Sequence, residues 1–343
     1  MDLKILFFTT ASFLTIYFIF RKFDLLKDDI SYSSHKILGS ENKSPIIIGG
    51  PYIFLIITIF YPIISFNMYS ILTLIILLGI LSDKNILSNP KIRLIFQVIL
   101  LFILVYLEDL KINDLRNDFI NMLLSNKFFN ILFTVFCLAI LLNGSNFLDG
   151  LNGLLTGYYL MIIVSLLILN NLIGSTIIIN HSFLELMICV LMIFLTFNIF
   201  GLVYLGDSGT YAVALLVGAY LIKFYLLNIF ISPFYIAVLL WYPAFENLFS
   251  LLRRIIRKRN VSDADNYHLH QLTFLFFKSK KTFSKRKLNT ISAMLILLFN
   301  VPGLLISNFY ATKSLILIFI LILNMILYLF FYYILSQNFA VKK

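Results

Sequence analysis

Apolar segments of about 15–22 residues recur along almost the whole chain, and an α-helix needs a run of about this length to cross the hydrocarbon core of a bilayer. The composition agrees, because 61% of the residues are hydrophobic and 13% are charged, against about 45–50% and about 25% in soluble domains. The sequence therefore predicts an all-α, polytopic membrane protein with one domain over residues 1–343. Eleven spans are expected, at residues 3–20, 46–65, 68–82, 91–107, 128–143, 153–171, 183–203, 209–227, 230–251, 289–307 and 314–336.

Lysine and arginine are concentrated in alternate loops. Of the 27 Lys and Arg residues, 21 lie in or beside the segments that follow the odd-numbered spans, and 6 lie on the other side. Positively charged loops stay in the cytoplasm, so the N-terminus is expected outside and the C-terminus inside. The net charge of +11 has the same explanation, and we expect no nucleic-acid partner. The internal loops on the cytoplasmic side are 21–45, 82–91, 143–152, 204–208 and 252–288.

Short polar islands interrupt the apolar sequence in four of these loops. They are Ser82-Asp83, Asn146–Gly150, Gly206–Gly209 and His268–His270. The spans were chosen by apolar length alone, and all four islands still fall on one face. The pattern predicts a single active site that these loops assemble at the cytoplasmic surface.

Two aspartates lie at helix ends within the islands. Asp83 is either a polar break at the end of the third span or a functional carboxylate. A negative charge is disfavoured at a helix C-terminus, which favours the second reading. Asp207 opens the eighth span and is either an N-cap or a ligand of Mg²⁺, which takes one or two protein carboxylates together with substrate phosphates. The N-terminus of that helix is suited to phosphate oxygens.

The segment 143–153 contains three Asn, one Asp and three Gly. It is either a simple connector or a nucleotide-binding loop, in which Asn146, Asp149 and Asn152 supply hydrogen-bond donors and acceptors. Glycine permits the close approach of backbone that such a loop needs.

Histidine and basic residues complete the candidate set. A zinc site at His268 and His270 lacks nearby Cys or Glu ligands, so hydrogen bonding to phosphate or sugar is the more natural role. Lys43 and Arg254 are candidates to neutralise a diphosphate; alternatively, they only set the orientation and contact lipid headgroups.

The order and spacing of these islands resemble the polyprenyl-phosphate N-acetylhexosamine-1-phosphate transferases. The resemblance implies that undecaprenyl phosphate attacks the sugar-linked phosphorus of a UDP-sugar, with Mg²⁺ or Mn²⁺ required, in the bacterial inner membrane. It also implies that Asp207 is the metal ligand and that Asn146 and Asp149 contact the nucleotide or the active site. Asp83, Asp149, His268 and His270 are the expected catalytic residues. The Pro45–Gly50 segment matches a further family element. A homodimer is expected.

The chain also departs from the family at three positions. Ser82 and Asn152 stand where members often have aspartate, and Gln271 stands where they often have histidine. The missing first carboxylate has been proposed as a base; a phosphate monoester with a second pKa near 6 is already largely ionised, so that base is dispensable.

Three alternatives stay open. A lipid I-forming translocase of the same family is not favoured, because its loop carries consecutive histidines. A transporter would place polar groups near the bilayer midplane, and only Glu185, Lys223 and Glu246 fall in or near the spans. An inactive family member that serves as a scaffold has only Ser82 in its favour.

Overall fold

The computed structural model describes residues 2–26, 45–258, 267–280 and 283–340, and in this part of the chain the fold is an α-helical bundle. The thirteen helices of the described residues are α1 (Leu3–Lys22), α2 (Gly49–Ile59), α3 (Phe66–Asp83), α4 (Pro90–Leu107), α5 (Asp118–Leu124), α6 (Lys127–Leu148), α7 (Leu154–Ile173), α8 (His181–Ile199), α9 (Gly206–Leu227), α10 (Pro233–Ile256), α11 (Leu269–Ser279), α12 (Lys285–Phe309) and α13 (Ser314–Ala340). Two short parallel strands, β1 (Ile46–Ile47) and β2 (Val203–Tyr204), pair Ile46 with Val203 and Ile47 with Tyr204.

The helices confirm the all-α, polytopic prediction. Ten of those described are long and apolar enough to cross a membrane, and α2 is a shorter apolar helix; together they correspond to the eleven expected spans. The second span is shorter than expected, because a 3₁₀ turn at Tyr61–Ile63 contains Pro62 and ends the helical region. Ser65 then starts α3 by accepting a hydrogen bond from the Met68 amide at 3.2 Å.

Helix α9 lies at the centre of the bundle and is the most buried of the long helices described. It packs against α2, α3 and α6. At the start of α9 the backbones approach very closely, since a Cβ atom on Gly79 of α3 would lie 2.2 Å from Ser208 Cα. Glycine allows two membrane helices to meet at this distance. The close approach fixes the third polar island against the first.

A proline inside α10 determines how α6, α7 and α10 meet. Pro243 has no N–H, so the Leu239 carbonyl cannot form its normal helical hydrogen bond. The Tyr158 hydroxyl on α7 donates to that carbonyl at 2.9 Å, as backbone polar groups require in lipid. On the other side, Gly144 of α6 packs against the Pro243 carbonyl, where a Cβ atom would lie at 2.1 Å.

The opposite end of α9 carries a separate ion pair. Lys223 Nζ donates to Glu108 Oε2 at 2.5 Å, and the Glu108 side chain is 7% exposed. Burial raises the pKa of Glu108, but hydrogen bonds from Lys223 and Ser65 outweigh it and hold the pKa below its usual value. This pair therefore anchors α9 to the end of α4, at the far end of α9 from Asp207.

The expected loop at 143–152 is wrong in its extent. Helix α6 continues through Asn146 to Leu148, and only Asp149–Gly153 connect it to α7. Leu141, Leu142 and Leu148 are buried in the core, and their packing outweighs the weak helix propensity of Asn and Gly. Gly153, with φ of +83°, precedes the first residue of α7. The predicted 252–288 loop also contains a helix, α11, that was not predicted from the sequence.

Candidate active site

Asp83 binds the N-terminus of α9. Its carboxylate accepts hydrogen bonds from the Asp207 amide at 2.7 Å, the Ser208 amide at 3.2 Å and the Ser208 hydroxyl at 2.7 Å. The first N–H groups of a helix have no partner within the helix and carry partial positive charge, so a carboxylate is stabilised there. These two amides of α9 are thus occupied by a protein carboxylate, which differs from the open phosphate-binding terminus expected from the sequence.

Gly206 makes this contact possible. Its φ is +68°, and a Cβ atom there would lie 2.7 Å from Asp83 Oδ2 and 2.3 Å from the Ile47 side chain. Glycine reaches this left-handed conformation at little cost. The glycine in the third island therefore serves the approach of Asp83 to the helix.

Asp207 is the centre of a buried charged group. The residue is 4% exposed, and its Oδ2 accepts from Arg93 Nη1 at 2.6 Å and from the Ser82 hydroxyl at 2.5 Å. Arg93 also donates to the Ser82 hydroxyl oxygen. Ser82 therefore joins the two charged residues, at the position where an aspartate was expected.

Arg93 was counted only as an orientation signal in the sequence. A buried carboxylate needs a countercharge, and that requirement was the available clue to an unassigned basic partner. Arg93 lies in the first turn of α4, eleven residues after Ser82, so the short connection between α3 and α4 brings it back to the site.

Both carboxylates are engaged by other groups of the chain, so a Mg²⁺ ion would have to displace Arg93 from Asp207. Asp83 is bonded to the start of α9, and a guanidinium lies 2.6 Å from Asp207 Oδ2, where a divalent cation would be repelled. Within the described ranges, no group of three or more His, Cys, Asp or Glu side chains is placed to hold a metal. Mg²⁺ can use few protein ligands when substrate phosphates supply the others, but the ion pair must first open.

The second and fourth islands form another cluster. Phe147, near the end of α6, lies 4.5 Å from the His268 ring between centroids, and the His268 and His270 rings are stacked at 5.5 Å. A Cβ atom on Gly150 would lie 2.9 Å from His270 Nε2. The histidine segment thus packs directly on the Asn146–Gly150 segment, as a shared site requires.

Glu246 of α10 supports this cluster and was not among the predicted site residues. It is fully buried, and its Oε1 lies 2.8 Å from His268 Nδ1. From the sequence, Glu246 was interpreted only as a charged residue within a span. A buried ionisable residue in a membrane helix is itself a signal of function. Glu246, however, precedes a basic run that was interpreted as an orientation signal.

His270 has unusual electrostatics. It is fully buried and, among the described residues, neither ring nitrogen has a hydrogen-bond partner. Burial lowers the pKa of His270 to about 3, with Glu246 opposing that shift. The ring is therefore neutral near pH 7 and offers one donor and one acceptor nitrogen.

Helices α4 and α6 bring the two clusters side by side. Asn143 Nδ2 donates to Gln97 Oε1 at 3.0 Å. Gln97 lies one helical turn from Arg93, and Asn143 lies one turn from Phe147. The Asn146 Oδ1 and Gln97 Nε2 atoms are buried without a partner in the described structure. Buried polar atoms of this kind need an explanation, and a polar ligand between the clusters supplies one.

The other predicted site residues have different positions. Asp149 is half-buried at the end of α6. Asn152 is 6% exposed, and its amide donates to Asn289 Oδ1 at 2.7 Å, so its backbone has a structural partner. Arg254 is half-buried in the last turn of α10. Lys43 lies outside the described residues.

Gln271 and the residue after Asn152 also have structural partners. Gln271 Oε1 accepts from the His268 amide at 3.3 Å and caps α11. The Gly153 amide, beside Asn152, donates to Asn198 Oδ1 at 2.6 Å. Asn198 and Asn289 were missed by the sequence analysis, because single Asn residues in apolar helices carry no motif.

Comparison with known proteins supports the family that the motifs indicate. Residues 65–225 match the family model described as glycosyl transferase family 4. The chain is 25% identical over 262 residues to a Bacillus subtilis (strain 168) protein named "Probable undecaprenyl-phosphate N-acetylglucosaminyl 1-phosphate transferase". The aligned region covers 74% of this chain and 68% of that protein. The predicted resemblance is confirmed. The family segment holds the first three islands, while the histidine island lies beyond it.

Proposed function

We propose that this chain, a glycosyl transferase family 4 protein over residues 65–225, transfers a sugar-1-phosphate from a UDP-sugar to undecaprenyl phosphate. A phosphate oxygen of the lipid forms a bond to the sugar-linked phosphorus. The bond from that phosphorus to the bridging oxygen breaks, and UMP leaves with the electron pair. The products are UMP and a polyprenyl-diphosphate sugar, and the acceptor name in the Bacillus relative supports this choice of lipid.

One observation carries the proposal: all four polar islands meet at the same end of an apolar bundle. Ser82 and Asp83 contact the start of α9, and Phe147 and Gly150 contact the histidine segment. Apolar helices beside the site can accommodate a lipid tail, and the polar atoms can bind a nucleotide and phosphates. Phosphoryl transfer depends mainly on such positioning and charge neutralisation.

Each residue has a proposed task. Asn146, whose side-chain Oδ1 is buried, and the half-buried Asp149 face the nucleotide part of the donor. His268 and the neutral His270 hydrogen-bond phosphate or sugar oxygens. The acceptor phosphate, with a second pKa near 6, is largely ionised near neutral pH, so the chemistry does not depend on a carboxylate at Ser82. We also propose a catalytic role for Asp83, in addition to its hydrogen bonds to the N-terminus of α9.

The setting of the reaction is part of the proposal. We propose that the site lies on the cytoplasmic face of a bacterial inner membrane, where nucleotide sugars are available; the basic loops on the same side support this orientation. N-acetylglucosamine is the first sugar to test, because the name of the Bacillus relative contains it. A requirement for Mg²⁺ or Mn²⁺, a role for Lys43 or Arg254 at the diphosphate, and a homodimer remain predictions.

A transporter is less well supported. The buried ionisable groups pair locally, with Lys223 on Glu108 at the far end of α9 and Glu246 on His268 beside the histidine island. A transport route would need exchangeable polar groups between these two ends.

The deciding experiment is a UMP-release assay with purified protein, undecaprenyl phosphate, Mg²⁺ and a panel of UDP-sugars. Release is expected with at least one sugar. Asp207→Asn is expected to reduce turnover by about 100-fold or more, because it removes the negative charge that holds Arg93, or a divalent cation, beside the substrate phosphates. Asp114→Asn is the matched control, because Asp114 pairs with Arg116 away from the site. Folded protein that releases no UMP with any donor would refute the proposed function.

A further inference from the structure

Glu246 is a carboxyl group in the interior of the bundle. Its exposed fraction is 0%, and it lies in α10, one turn after Pro243. Burying such a group is costly unless it is hydrogen-bonded or paired. Its Oε1 lies 2.8 Å from His268 Nδ1 and accepts from the Leu269 amide at 3.3 Å. Glu246 thus holds the histidine and the first residue of α11 through one oxygen.

The chemistry of the Glu246 side chain determines the direction of its hydrogen bond with His268. As a carboxylate, Glu246 has no proton to donate, so Oε1 is the acceptor both toward the Leu269 N–H and toward His268 Nδ1. His268 must then donate from Nδ1. In a neutral imidazole the proton on Nδ1 leaves Nε2 as the acceptor nitrogen. The carboxyl group therefore sets which ring nitrogen of His268 is available to a ligand.

Two other rings lie against the His268 ring. The His270 ring is stacked on it at a centroid distance of 5.5 Å, and the Phe147 ring is tilted by 30° at 4.5 Å. Phe147 belongs to the second island, beside Asn146, whose Oδ1 is buried without a partner in the described part of the chain. With two rings against it and Nδ1 bonded to Glu246, His268 has Nε2 left to contact a substrate.

We propose that Glu246 is the positioning residue for His268: it holds the imidazole with the proton on Nδ1, so that Nε2 accepts a hydrogen bond from a hydroxyl group of the sugar or ribose of the substrate. This inference rests on the proposed function for the identity of the substrate. The tautomer and orientation of His268 do not depend on it. Other groups near Glu246 are Tyr242 from its own helix, Tyr328 from α13 and His270 from α11.

A purely structural role is the competing explanation. Glu246 joins α10 to α11, so its loss could simply weaken the fold. Glu246→Gln separates the roles, because the amide oxygen can still accept from Nδ1 while the charge is lost. Glu246→Leu removes the acceptor at similar volume. Replacing a buried ionised group by an apolar one of similar shape often leaves stability nearly unchanged, and thermal unfolding of both variants checks this.

The first measurement is ¹⁵N NMR of histidine-labelled protein, which has four histidines, with His268→Gln used to assign the His268 signals. We expect a protonated Nδ1 and an unprotonated Nε2 in the wild type and in Glu246→Gln, and a mixture of tautomers in Glu246→Leu. A wild-type Nδ1 without a proton, or an unchanged spectrum in Glu246→Leu, would overturn the proposal.

The second measurement is UMP release. Glu246→Leu is expected to lower kcat by about 10- to 100-fold, the loss typical of partners that orient a ligating histidine, with a smaller change in KM, and Glu246→Gln to keep more activity. Equal kcat in the wild type and Glu246→Leu would also overturn it. If the wild type itself releases no UMP, the proposed function fails, whereas the NMR result still decides the Glu246–His268 relationship.

Discussion

Arg93 and Asp207 form a buried ion pair, with Arg93 Nη1 2.6 Å from Asp207 Oδ2. The Asp207 side chain is 6% exposed and the Arg93 side chain is 22% exposed. Ser82 bonds to both partners. The carboxylate that the resemblance assigns to a metal is therefore neutralised by a residue of the chain itself, and the serine contributes to that pairing.

Arg93→Gln is expected to destabilise the protein by up to about 3 kcal/mol. Removing one partner of a buried pair costs about 3–5 kcal/mol because the other charge is left uncompensated, and the partial exposure of Arg93 places this case at the lower end. Thermal unfolding in detergent measures the effect. The double variant Arg93→Gln/Asp207→Asn should recover most of the loss, and a double variant no more stable than the single one would contradict the pairing.

Ser82→Asp is expected to make the protein's stability depend on divalent cations. A second carboxylate would lie near Asp207, where the serine hydroxyl now donates at 2.5 Å, and two close carboxylates cannot both ionise freely. Mn²⁺ titration followed by thermal unfolding should show a larger stabilisation than in the wild type. Ser82→Ala adds no charge and is the control. Equal shifts in all three proteins would count against Arg93 and Ser82 as the groups that weaken metal binding.

Asp83→Ala is expected to lower the free energy of unfolding the first turn of α9 by about 2–3 kcal/mol. Its carboxylate accepts from two amides and one hydroxyl, and bonds to a charged group contribute about 1.5–3 kcal/mol each without being additive. Hydrogen exchange at the Asp207 and Ser208 amides reports on these bonds directly. If both amides keep wild-type protection, Asp83 has no capping role and only its proposed catalytic assignment stands.

Gly144→Ala is expected to separate the two halves of the site. The new Cβ atom would lie 2.1 Å from the Pro243 backbone oxygen, and neither backbone can move without shifting α6 from α10. Phe147 would then lose its contact with His268. Gly157→Ala is the matched control, because its Cβ would meet only the end of the flexible Leu297 side chain at 2.7 Å. Unfolding temperature should fall clearly in the first variant and little in the second.

The long elements could be predicted from the sequence because length and hydropathy determine a membrane helix. The same rule failed at Asn143–Leu148, where packing against α10 holds a polar, glycine-containing segment in a helix. The site was predictable where polar residues form compact islands, as at Asp207 and His268. Arg93, Gln97 and Glu246 were not predicted as site residues, because none of them lies in a polar island and only the folded bundle brings them to the islands.

Low pH is expected to destabilise the protein through His270. Burial lowers the pKa of His270 to about 3 in the folded state, against about 6.5 in an unfolded chain. The unfolded state therefore binds a proton that the folded state excludes, and stability is fully present above about pH 6.5 and falls as the pH drops toward 3. One pKa unit corresponds to about 1.4 kcal/mol, so the loss at pH 5 is about 2 kcal/mol. His270→Gln should flatten this part of the stability profile measured by thermal unfolding, while His181→Gln, at an exposed residue, should keep the wild-type slope. A His270→Gln variant with an unchanged slope would show that His270 is not the group that titrates.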